Sequence, residues 1–212
     1  KPIKAGEACV YNCGPTVYNY AHIGNLRAYV FADIFRRTLE WNGYNVKQVM
    51  NITDIGQLSS DGDEGEDKMM KALRRENKPL TLQAMNEVGT YYMEAFIKDL
   101  TALNIKLPGK MPRASNHITE DIEIIKILEE KGVAYKISDG IYYDISKCPD
   151  YGKLGGVNKS KQEAGVRVQV NPEKRNPADF NLWKFSSNSD LGFPSPWGVG
   201  FPGWHIECSA MS

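Results

Sequence analysis

The segment His-Ile-Gly-Asn, residues 22–25, places an imidazole, a glycine and an amide within four positions. It follows a predicted strand and begins a helical pattern. At a helix start, unpaired backbone N–H groups and the helix dipole favour a phosphate. Gly24 lets a ligand approach the backbone closely, and His22 and Asn25 can donate hydrogen bonds to charge that develops on a phosphoryl group. The segment therefore predicts a phosphate site, with a helix cap or a surface histidine as the alternative.

Two of the four cysteines lie beside segments that could bind a ligand. Cys13 comes at the carboxyl end of the first predicted strand, where open α/β sheets place their ligands, and Cys208 ends the sequence Gly-Trp-His-Ile-Glu-Cys. They could form a nucleophile pair, part of a metal site or neither. Zinc normally takes three or four protein ligands, so these two cysteines alone do not establish a zinc site. Cys9 and Cys148 are expected to be small buried residues. The four cysteines form no C-x-x-C pair, which favours a reducing compartment.

A second polar segment, Asn-Ile-Thr-Asp at residues 51–54, ends the next predicted strand along the chain. The carboxyl ends of parallel strands meet at one edge of a sheet, so this segment should face the same crevice as the loop after the first strand. The alternative is ordinary turn chemistry at a strand end.

These residues depend on a strand–loop–helix–strand unit at the start of the chain. Residues 7–12 predict a short buried strand that ends before the Gly14–Pro15 breaker. A helix should follow and end at Gly43, and residues 46–52 predict a second strand. The positions that recur at helical spacing are Phe31, Ile34, Phe35, Thr38 and Leu39. This βαβ order predicts a parallel sheet with a right-handed crossover.

Two helices and an insertion follow. Residues 68–76 and 81–104 are predicted to be helical, and the apolar side of the second helix is expected to be core. Residues 59–67 are acidic and Gly-rich but do not match a calcium-binding loop, which favours a solvated insertion.

The later part of the chain predicts a small α+β insertion. After the Pro- and Gly-containing segment 107–115, residues 118–132 predict a helix that stops at a glycine. Residues 133–145 read as a β-hairpin and residues 166–170 as a further strand. The tail at 193–212 is rich in Pro, Gly and Trp and stops as an apolar helix begins, so we expect the chain to be truncated.

Composition limits the partners that the chain can attract. Its 26 basic and 26 acidic residues give a formal net charge of zero, so any contact with a polyanion must come from a local patch or from sequence outside this chain. No apolar run approaches the roughly 18 residues that a membrane span requires. The first residues also lack the apolar core of a signal peptide.

Four motifs occur in order: Cys-Gly-Pro-Thr-Val-Tyr, His-Ile-Gly-Asn, Asn-Ile-Thr-Asp and Gly-Trp-His-Ile-Glu-Cys-Ser-Ala-Met. Together with Pro-Arg-Ala-Ser-Asn-His-Ile and Arg-Asn-Pro-Ala-Asp-Phe-Asn-Leu-Trp-Lys, they resemble the catalytic domain of class I cysteinyl-tRNA synthetases. The resemblance implies an α/β fold with a Rossmann-type parallel sheet and an α+β connective insertion. It implies a first catalytic half at 1–112, the insertion at 113–194 and the start of the second half at 195–212.

The resemblance also implies a reaction and a set of site residues. L-cysteine would be activated with ATP and Mg²⁺ to cysteinyl-adenylate and pyrophosphate, and cysteine would then be transferred to tRNA(Cys). The residues that match ATP-binding positions are Thr16, His22, Gly24 and Asn25, with His22 and Asn25 catalytic. Those that match the cysteine pocket are Gly14, Thr53 and Trp204, and those that match zinc ligands are Cys13 and Cys208.

One Zn²⁺ per active site is implied by the same resemblance, with its two remaining ligands beyond Ser212. A metal bound by the substrate thiolate would select cysteine over serine because sulfur is the softer ligand. We also expect tRNA contacts to lie mostly outside this chain, and a monomeric cytoplasmic protein with no membrane contact.

The sequence departs from the family pattern at several points. Asn25 stands at the second histidine of the family's ATP-binding signature, a substitution that also occurs in this family, and the stretch after Asp54 is longer than the family's compact form. The Lys-Met-Ser-Lys-Ser loop is absent from this chain, so we expect residues 1–212 alone to be inactive in full aminoacylation. The rival interpretations are the cysteine ligase of mycothiol biosynthesis, which shares this fold and chemistry, and a non-catalytic synthetase-like binding module.

Overall fold

The computed structural model describes residues 2–55, 67–153, 171–186, 191–203 and 205–212. The acidic segment up to residue 66, the predicted strand at 166–170 and Trp204 lie outside the described residues. The chain divides into two compact units. The first contains the described residues up to His117, apart from Asp67, together with the last two residues. The second contains Asp67 and the described residues from Ile118 to Ala210.

The first unit begins with a parallel βαβ arrangement. Strand β1 spans Glu7–Asn12, helix α1 spans Ile23–Trp41 and strand β2 spans Asn45–Met50. The two strands pair in parallel, from Glu7 opposite Asn45 to Asn12 opposite Met50. Gly43 follows the helix with a φ of 83°, a left-handed conformation that favours glycine. The predicted strand order, parallel pairing and helix end are confirmed.

The prediction that β1 is buried is wrong. Cys9 is exposed and the remaining residues of the strand are only partly buried. The buried residues of α1 are Tyr29, Ala32 and Asp33. Among the helix's exposed apolar residues are Phe31, Ile34 and Phe35. Apolar periodicity thus predicted a helix correctly, but it did not identify the face that the first unit buries.

Two further helices belong to the first unit. Helix α2 spans Lys68–Arg75 and helix α3 spans Leu82–Ala102. The hydroxyl of Thr81 caps α3 by accepting a hydrogen bond from the Ala84 N–H at 3.2 Å. The buried face of α3 includes Met85, Val88, Tyr92, Phe96 and Leu100. The expectation that this helix contributes core residues is confirmed, although Leu103 after its last turn is exposed.

The second unit combines helices with an antiparallel sheet. Helix α4 spans Ile118–Glu130, and the remaining elements are strands β3 (Ala134–Ile137), β4 (Gly140–Tyr143), β5 (Phe180–Phe185) and β6 (Gly200–Pro202) and helix α5 (Ile206–Met211). The strands are ordered β3-β4-β5-β6 and all pair antiparallel. The predicted helix after residue 117 and the predicted hairpin are confirmed. Among the described residues, no helix is long and apolar enough to span a bilayer.

The Arg-Asn-Pro-Ala-Asp motif at 175–179 is built into this second unit. Asp179 is 1% exposed and its carboxylate accepts hydrogen bonds from the Tyr135 hydroxyl at 2.6 Å and the Ile145 N–H at 3.0 Å. The Arg175 guanidinium lies 4.2 Å from the centre of the Tyr135 ring. These contacts tie the motif to the β3–β4 hairpin, so its residues serve the fold of the second unit.

Candidate active site

The loop after β1 and the segment after β2 lie side by side in the first unit. The Val17 N–H donates to the Thr53 carbonyl oxygen at 3.0 Å, and the Thr53 N–H donates to the Pro15 carbonyl oxygen at 3.0 Å. These hydrogen bonds form a parallel bridge between Thr16 and Thr53. The prediction that both segments share one rim of the parallel sheet is confirmed.

At this rim the side chain of Asn51 joins Gly14 to Thr53. Its Oδ1 accepts a hydrogen bond from the Gly14 N–H at 2.8 Å, and its Nδ2 donates to the Thr53 Oγ1 at 3.0 Å. Asn51 has no exposed surface and Thr53 is 7% exposed. A Cβ atom at Gly14 would lie 1.7 Å from the Asn51 carbonyl oxygen, so only glycine permits this approach of the two segments.

His22 and Asn25 form a reciprocal cap at the start of α1. The Nδ1 of His22 accepts from the Gly24 N–H at 3.1 Å, and the Oδ1 of Asn25 accepts from the His22 N–H at 3.2 Å. A neutral imidazole whose Nδ1 accepts carries its proton on Nε2, so the exposed His22 ring presents a donor. A Cβ atom at Gly24 would lie 2.9 Å from the His22 Cε1, and the glycine therefore leaves room for the ring.

A cavity of about 190 Å³ opens beside this cap within the first unit. Thr16, His22 and Asn25 line it, together with Lys68 from α2 and Tyr92 from α3. The Lys68 Nζ lies 5.9 Å from the centre of the Tyr18 ring. An ammonium group beside an imidazole donor and a helix start gives the cavity a local preference for an anion.

The loop that forms one wall of the cavity is fixed by Arg75. Its guanidinium donates to the Tyr18 carbonyl oxygen at 2.6 Å and to the Tyr92 hydroxyl at 3.0 Å. The Tyr92 hydroxyl in turn donates to Glu76 at 2.6 Å. Burial by itself raises the pKa of Glu76, but hydrogen bonds from Tyr92 and Arg75 outweigh burial and hold that pKa below its usual value. The carboxylate therefore stays charged and keeps both donors in place.

A buried ion pair holds the other end of the rim. Asp54 is 1% exposed and accepts from the Arg113 Nε at 2.7 Å and from the Ser115 hydroxyl at 2.6 Å. The same guanidinium donates to Thr90 at 2.9 Å and Asn86 at 2.7 Å on α3. The segment after β2 is therefore fastened to both α3 and the 113–115 turn. Loss of Arg113 would leave the carboxylate of Asp54 buried without its counter-charge, which is strongly destabilising.

The predicted metal ligands are placed in different units. Cys13 is exposed in the loop after β1 of the first unit, and Cys208 is partly buried in α5 of the second. The described part of the chain contains no group of three or more His, Cys, Asp or Glu side chains that could hold a metal ion. Two thiol groups are suitable ligands for zinc, but these residues alone do not complete a zinc site.

The whole chain, residues 1–212, matches the family model described as tRNA synthetases class I (C) catalytic domain. It is 50% identical over 214 residues to a cysteine–tRNA ligase of Treponema denticola and to cysteine–tRNA ligase 1 of Burkholderia lata. Both alignments include 100% of this chain but only 42% and 44% of the two relatives. The chain thus spans about two fifths of the length of the curated relatives it matches.

A solved structure agrees with the fold. Mycobacterium tuberculosis methionyl-tRNA synthetase in complex with methionyl-adenylate covers 96% of this chain with a TM-score of 0.65, and this chain covers 45% of that one. The sequence identity is 11%, so this likeness concerns the fold alone. The parallel βαβ unit and these matches define a catalytic domain of the class I aminoacyl-tRNA synthetases. Within that class, the chain belongs to the family of class I cysteinyl-tRNA synthetases.

Sequence reasoning did not single out four residues that shape this site: Asn51, Lys68, Arg75 and Arg113. Asn51 lies within the Asn-Ile-Thr-Asp motif and Arg113 within the Pro-Arg-Ala-Ser-Asn-His-Ile motif. For Asn51 there was a usable signal, because an amide followed by the apolar Ile52 at a strand end indicates a buried polar side chain that needs a hydrogen-bond partner. The other two lie on α2, and nothing in the sequence of that helix indicates that they reach the loop at Tyr18.

Proposed function

We propose that the complete protein containing this chain is a cysteinyl-tRNA synthetase. The carboxylate of L-cysteine attacks the α-phosphorus of ATP, which forms cysteinyl-adenylate and releases pyrophosphate. A terminal ribose hydroxyl of tRNA(Cys) then attacks the carbonyl carbon, and AMP leaves. The observation that carries this proposal is the rim that joins Gly14 to Thr53 in the unit that also begins α1 with His22 and Asn25. The 50% identity to named cysteine–tRNA ligases supports the choice of amino acid.

The start of α1 is proposed to hold ATP. The His22 Nε2–H donates to a phosphoryl oxygen as negative charge develops on it, and Asn25 and Thr16 lie beside the same cavity. Gly24 permits close approach of the phosphates to the backbone. Mg²⁺ bound to ATP would neutralise part of the phosphate charge. Fixed donors of this kind act before and during the reaction without reorganising.

The rim is proposed to hold cysteine. Gly14 and Thr53 face the amino and carboxyl groups, and Trp204 is assigned to the same pocket on its match to the family motif. The distance between Gly14 and Thr53 is set by a buried side chain rather than by solvent-exposed contacts. A pocket of this rigidity can orient the carboxylate for attack on phosphorus.

Zinc is proposed as the element that distinguishes cysteine from serine. Cys13 and Cys208 would supply two thiolate ligands, and the others would come from parts of the protein that this chain does not span. When bound, Zn²⁺ would prefer the thiolate of cysteine to the hydroxyl of serine because sulfur is the softer ligand.

The chain's parts are assigned accordingly. Residues 1–112 and 195–212 are proposed to belong to the two halves of the catalytic domain, and residues 113–194 to the connective insertion. We place most tRNA contacts outside this chain, which agrees with its formal net charge of zero. We propose that the protein works in the cytoplasm as a monomer.

Cysteine-dependent ATP–pyrophosphate exchange and charging of tRNA(Cys) by the complete protein test the reaction. Exchange that depends on cysteine, followed by charging, supports the proposal, and the absence of cysteine-dependent exchange contradicts it. Activation of cysteine with transfer to an amino sugar instead of tRNA would identify the mycothiol-type ligase. His22→Ala should lower the exchange kcat by about 100-fold, since a donor to developing charge contributes on that order.

Matched cysteine pairs test the metal. Cys13→Ser should lose bound zinc and the preference for cysteine over serine, whereas Cys9→Ser, which also replaces an exposed cysteine, should keep both. Cys208→Ala and Cys148→Ala form a second pair of partly buried cysteines. Zinc content measured by elemental analysis gives a readout independent of activity. If Cys208→Ala retains full zinc content and activity, the zinc assignment is wrong.

A further inference from the structure

We propose that the basic side of helix α2 and the exposed Tyr20–Tyr91 pair bind the single-stranded 3′ end of tRNA(Cys). This inference rests on the proposed function, in which a terminal ribose hydroxyl of tRNA must reach the site where ATP and cysteine react. These side chains all belong to the first unit, which also contains the cavity beside His22. They form a local patch in a chain whose formal net charge is zero.

Helix α2 carries the positive charge of this surface. Its eight residues, Lys68–Arg75, include four basic side chains and no acidic one. Lys68 and Lys71 are one turn apart and therefore lie on the same side of the helix. Within the described residues, neither lysine pairs with a carboxylate. The positive charge thus continues from the cavity, which Lys68 lines, onto the surface at the exposed Lys71.

The opposite side of α2 is buried within the protein. Met69, Ala72 and Leu73 have no exposed surface. A helix that binds a lipid surface inserts an apolar side into the bilayer, and in α2 that side is already part of the core. The exposed side of α2 therefore suits an anionic macromolecule in water rather than a membrane.

Two exposed aromatic rings lie beside this charge. Tyr20 lines the cavity, and its hydroxyl oxygen is 2.6 Å from that of Tyr91 on α3. Tyr20 is 56% exposed and Tyr91 54%. Tyr20 also contacts Tyr92 edge to face, with ring centres 5.1 Å apart, and Arg75 of α2 donates to the Tyr92 hydroxyl. These contacts attach the Tyr20–Tyr91 pair to α2 at the cavity.

Positive charge beside exposed aromatic rings is the combination that binds single-stranded nucleic acid. Cations follow the phosphate backbone, and bases stack on the rings. Paired bases do not offer their faces, so the tyrosines favour an unpaired strand. In tRNA the unpaired strand that must enter the site is the 3′ end, which carries the hydroxyl that receives cysteine. A strand bound across Tyr91 and Tyr20 leads to the cavity that Tyr20 lines.

The test is binding of tRNA(Cys) by the complete protein, with and without the unpaired 3′ nucleotides. Tyr91→Ala should weaken binding of intact tRNA about 5- to 100-fold, the range for loss of one base–aromatic stack. It should have little effect on binding of the shortened tRNA. Lys71→Gln should lower the slope of log Kd against log salt concentration by about 0.7, as expected for one phosphate contact with a single strand.

Two substitutions serve as matched controls. Tyr91→Phe keeps the ring and should bind intact tRNA within about twofold of the unmodified protein. Lys110→Gln replaces an exposed lysine beside β2 and should leave the salt slope unchanged. Cysteine-dependent exchange contains no tRNA, so Tyr91→Ala and Lys71→Gln should keep their KM values for ATP and cysteine within about twofold. Retained exchange also shows that each variant is folded.

The inference is overturned if Tyr91→Ala binds intact tRNA as tightly as the unmodified protein, or if Lys71→Gln keeps the full salt slope. Equal weakening for intact and shortened tRNA also overturns it, because the surface would then contact another part of tRNA. A raised KM for ATP would assign the surface to ATP instead. If Tyr91→Ala does not fold, the salt slope of Lys71→Gln decides. Absence of cysteine-dependent exchange in the unmodified protein overturns the proposed function, whereas exchange with unaltered tRNA binding overturns this inference alone.

Discussion

At the scale of single residues, Gly14 shows how one backbone position controls the candidate site. The loop after β1 approaches the segment after β2 so closely that the Asn51 carbonyl oxygen occupies the place where a side chain would begin. The approach allows the Gly14 N–H to reach the Asn51 side chain, and the bridge between Thr16 and Thr53 continues the contact. Glycine is required here by the steric contact and not by the backbone conformation, because Gly14 is not among the glycines with a positive φ.

Gly14→Ala should therefore disrupt both stability and substrate binding. A Cβ atom 1.7 Å from the Asn51 carbonyl oxygen must displace one segment, which costs about 1–3 kcal/mol of unfolding free energy or more. Urea unfolding and cysteine-dependent exchange measure the two effects. Gly109→Ala is the control, because a Cβ atom there would lie 3.6 Å from the Gln48 carbonyl oxygen, an ordinary contact distance. Equal stability of the two variants would contradict the steric argument.

At the scale of secondary-structure elements, α4 carries an acidic residue on its buried face. Asp121 and Ile125, one turn apart, are the buried residues of this helix. Neither carboxylate oxygen of Asp121 has a hydrogen-bond partner within the described part of the chain. Burial, with smaller contributions from Glu120 and Cys208, raises the pKa of Asp121 to about 7. In the folded protein this carboxyl group is therefore largely protonated below neutral pH.

The raised pKa of Asp121 predicts a loss of stability as pH increases. Below the usual carboxyl pKa the group is protonated in both states, and its full stabilising contribution is present. Between that value and about 7 the unfolded state releases the proton first, so the unfolding free energy falls by about 1.4 kcal/mol per pH unit. Asp121→Asn should remove this slope, whereas Glu123→Gln, on the exposed side of the same helix, should retain it.

Urea unfolding of the three proteins from pH 5 to 8, with a chelator present, measures this difference. The advantage of Asp121→Asn over the unmodified chain should grow by about 2–3 kcal/mol between pH 5 and 7. An identical pH dependence in both proteins would show that the Asp121 carboxyl group is not shifted.

At the scale of the whole molecule, the least expected feature is the exposed apolar face of α1. Phe31 is 71% exposed, Ile34 57% and Phe35 46%, and their spacing places them on one side of the helix. A cluster of large apolar side chains in water is a binding surface or an aggregation liability. The chain spans about two fifths of the length of the curated relatives it matches.

Residues 1–212 expressed alone should therefore self-associate and bind a hydrophobic dye. The double variant Phe31→Lys with Ile34→Glu should reduce both effects and keep the helix, because opposite charges three residues apart are compatible with a helix. Light scattering and dye fluorescence measure the change. Ile127→Lys removes a side chain of similar exposure, 47%, from α4 and should have little effect. Equal improvement by both changes would show that the α1 face is not the cause.

The sequence by itself determined the elements of the first unit and the helix and hairpin of the second, but it did not predict strands β5 and β6. Glycine at the end of α1, the Ser-Asp-Gly turn of the hairpin and polar residues after each parallel strand are local signals, and local signals follow from backbone preferences and turn chemistry. They predicted the βαβ unit, the parallel pairing and the shared rim. Motif resemblance supplied the family, which the match over residues 1–212 confirms.

Only the tertiary structure decided which faces are buried and which side chains meet. Periodicity marks the apolar side of α1 but does not say what covers it, and the burial of β1 depends on neighbours that are distant in sequence. The link from Gly14 through Asn51 to Thr53 spans 37 positions between its first two members. The anchoring of Tyr18 by Arg75 spans 57. Such contacts arise from chain packing in three dimensions. A local pattern can mark a polar residue at a strand end, but it does not identify the distant residue that this side chain meets.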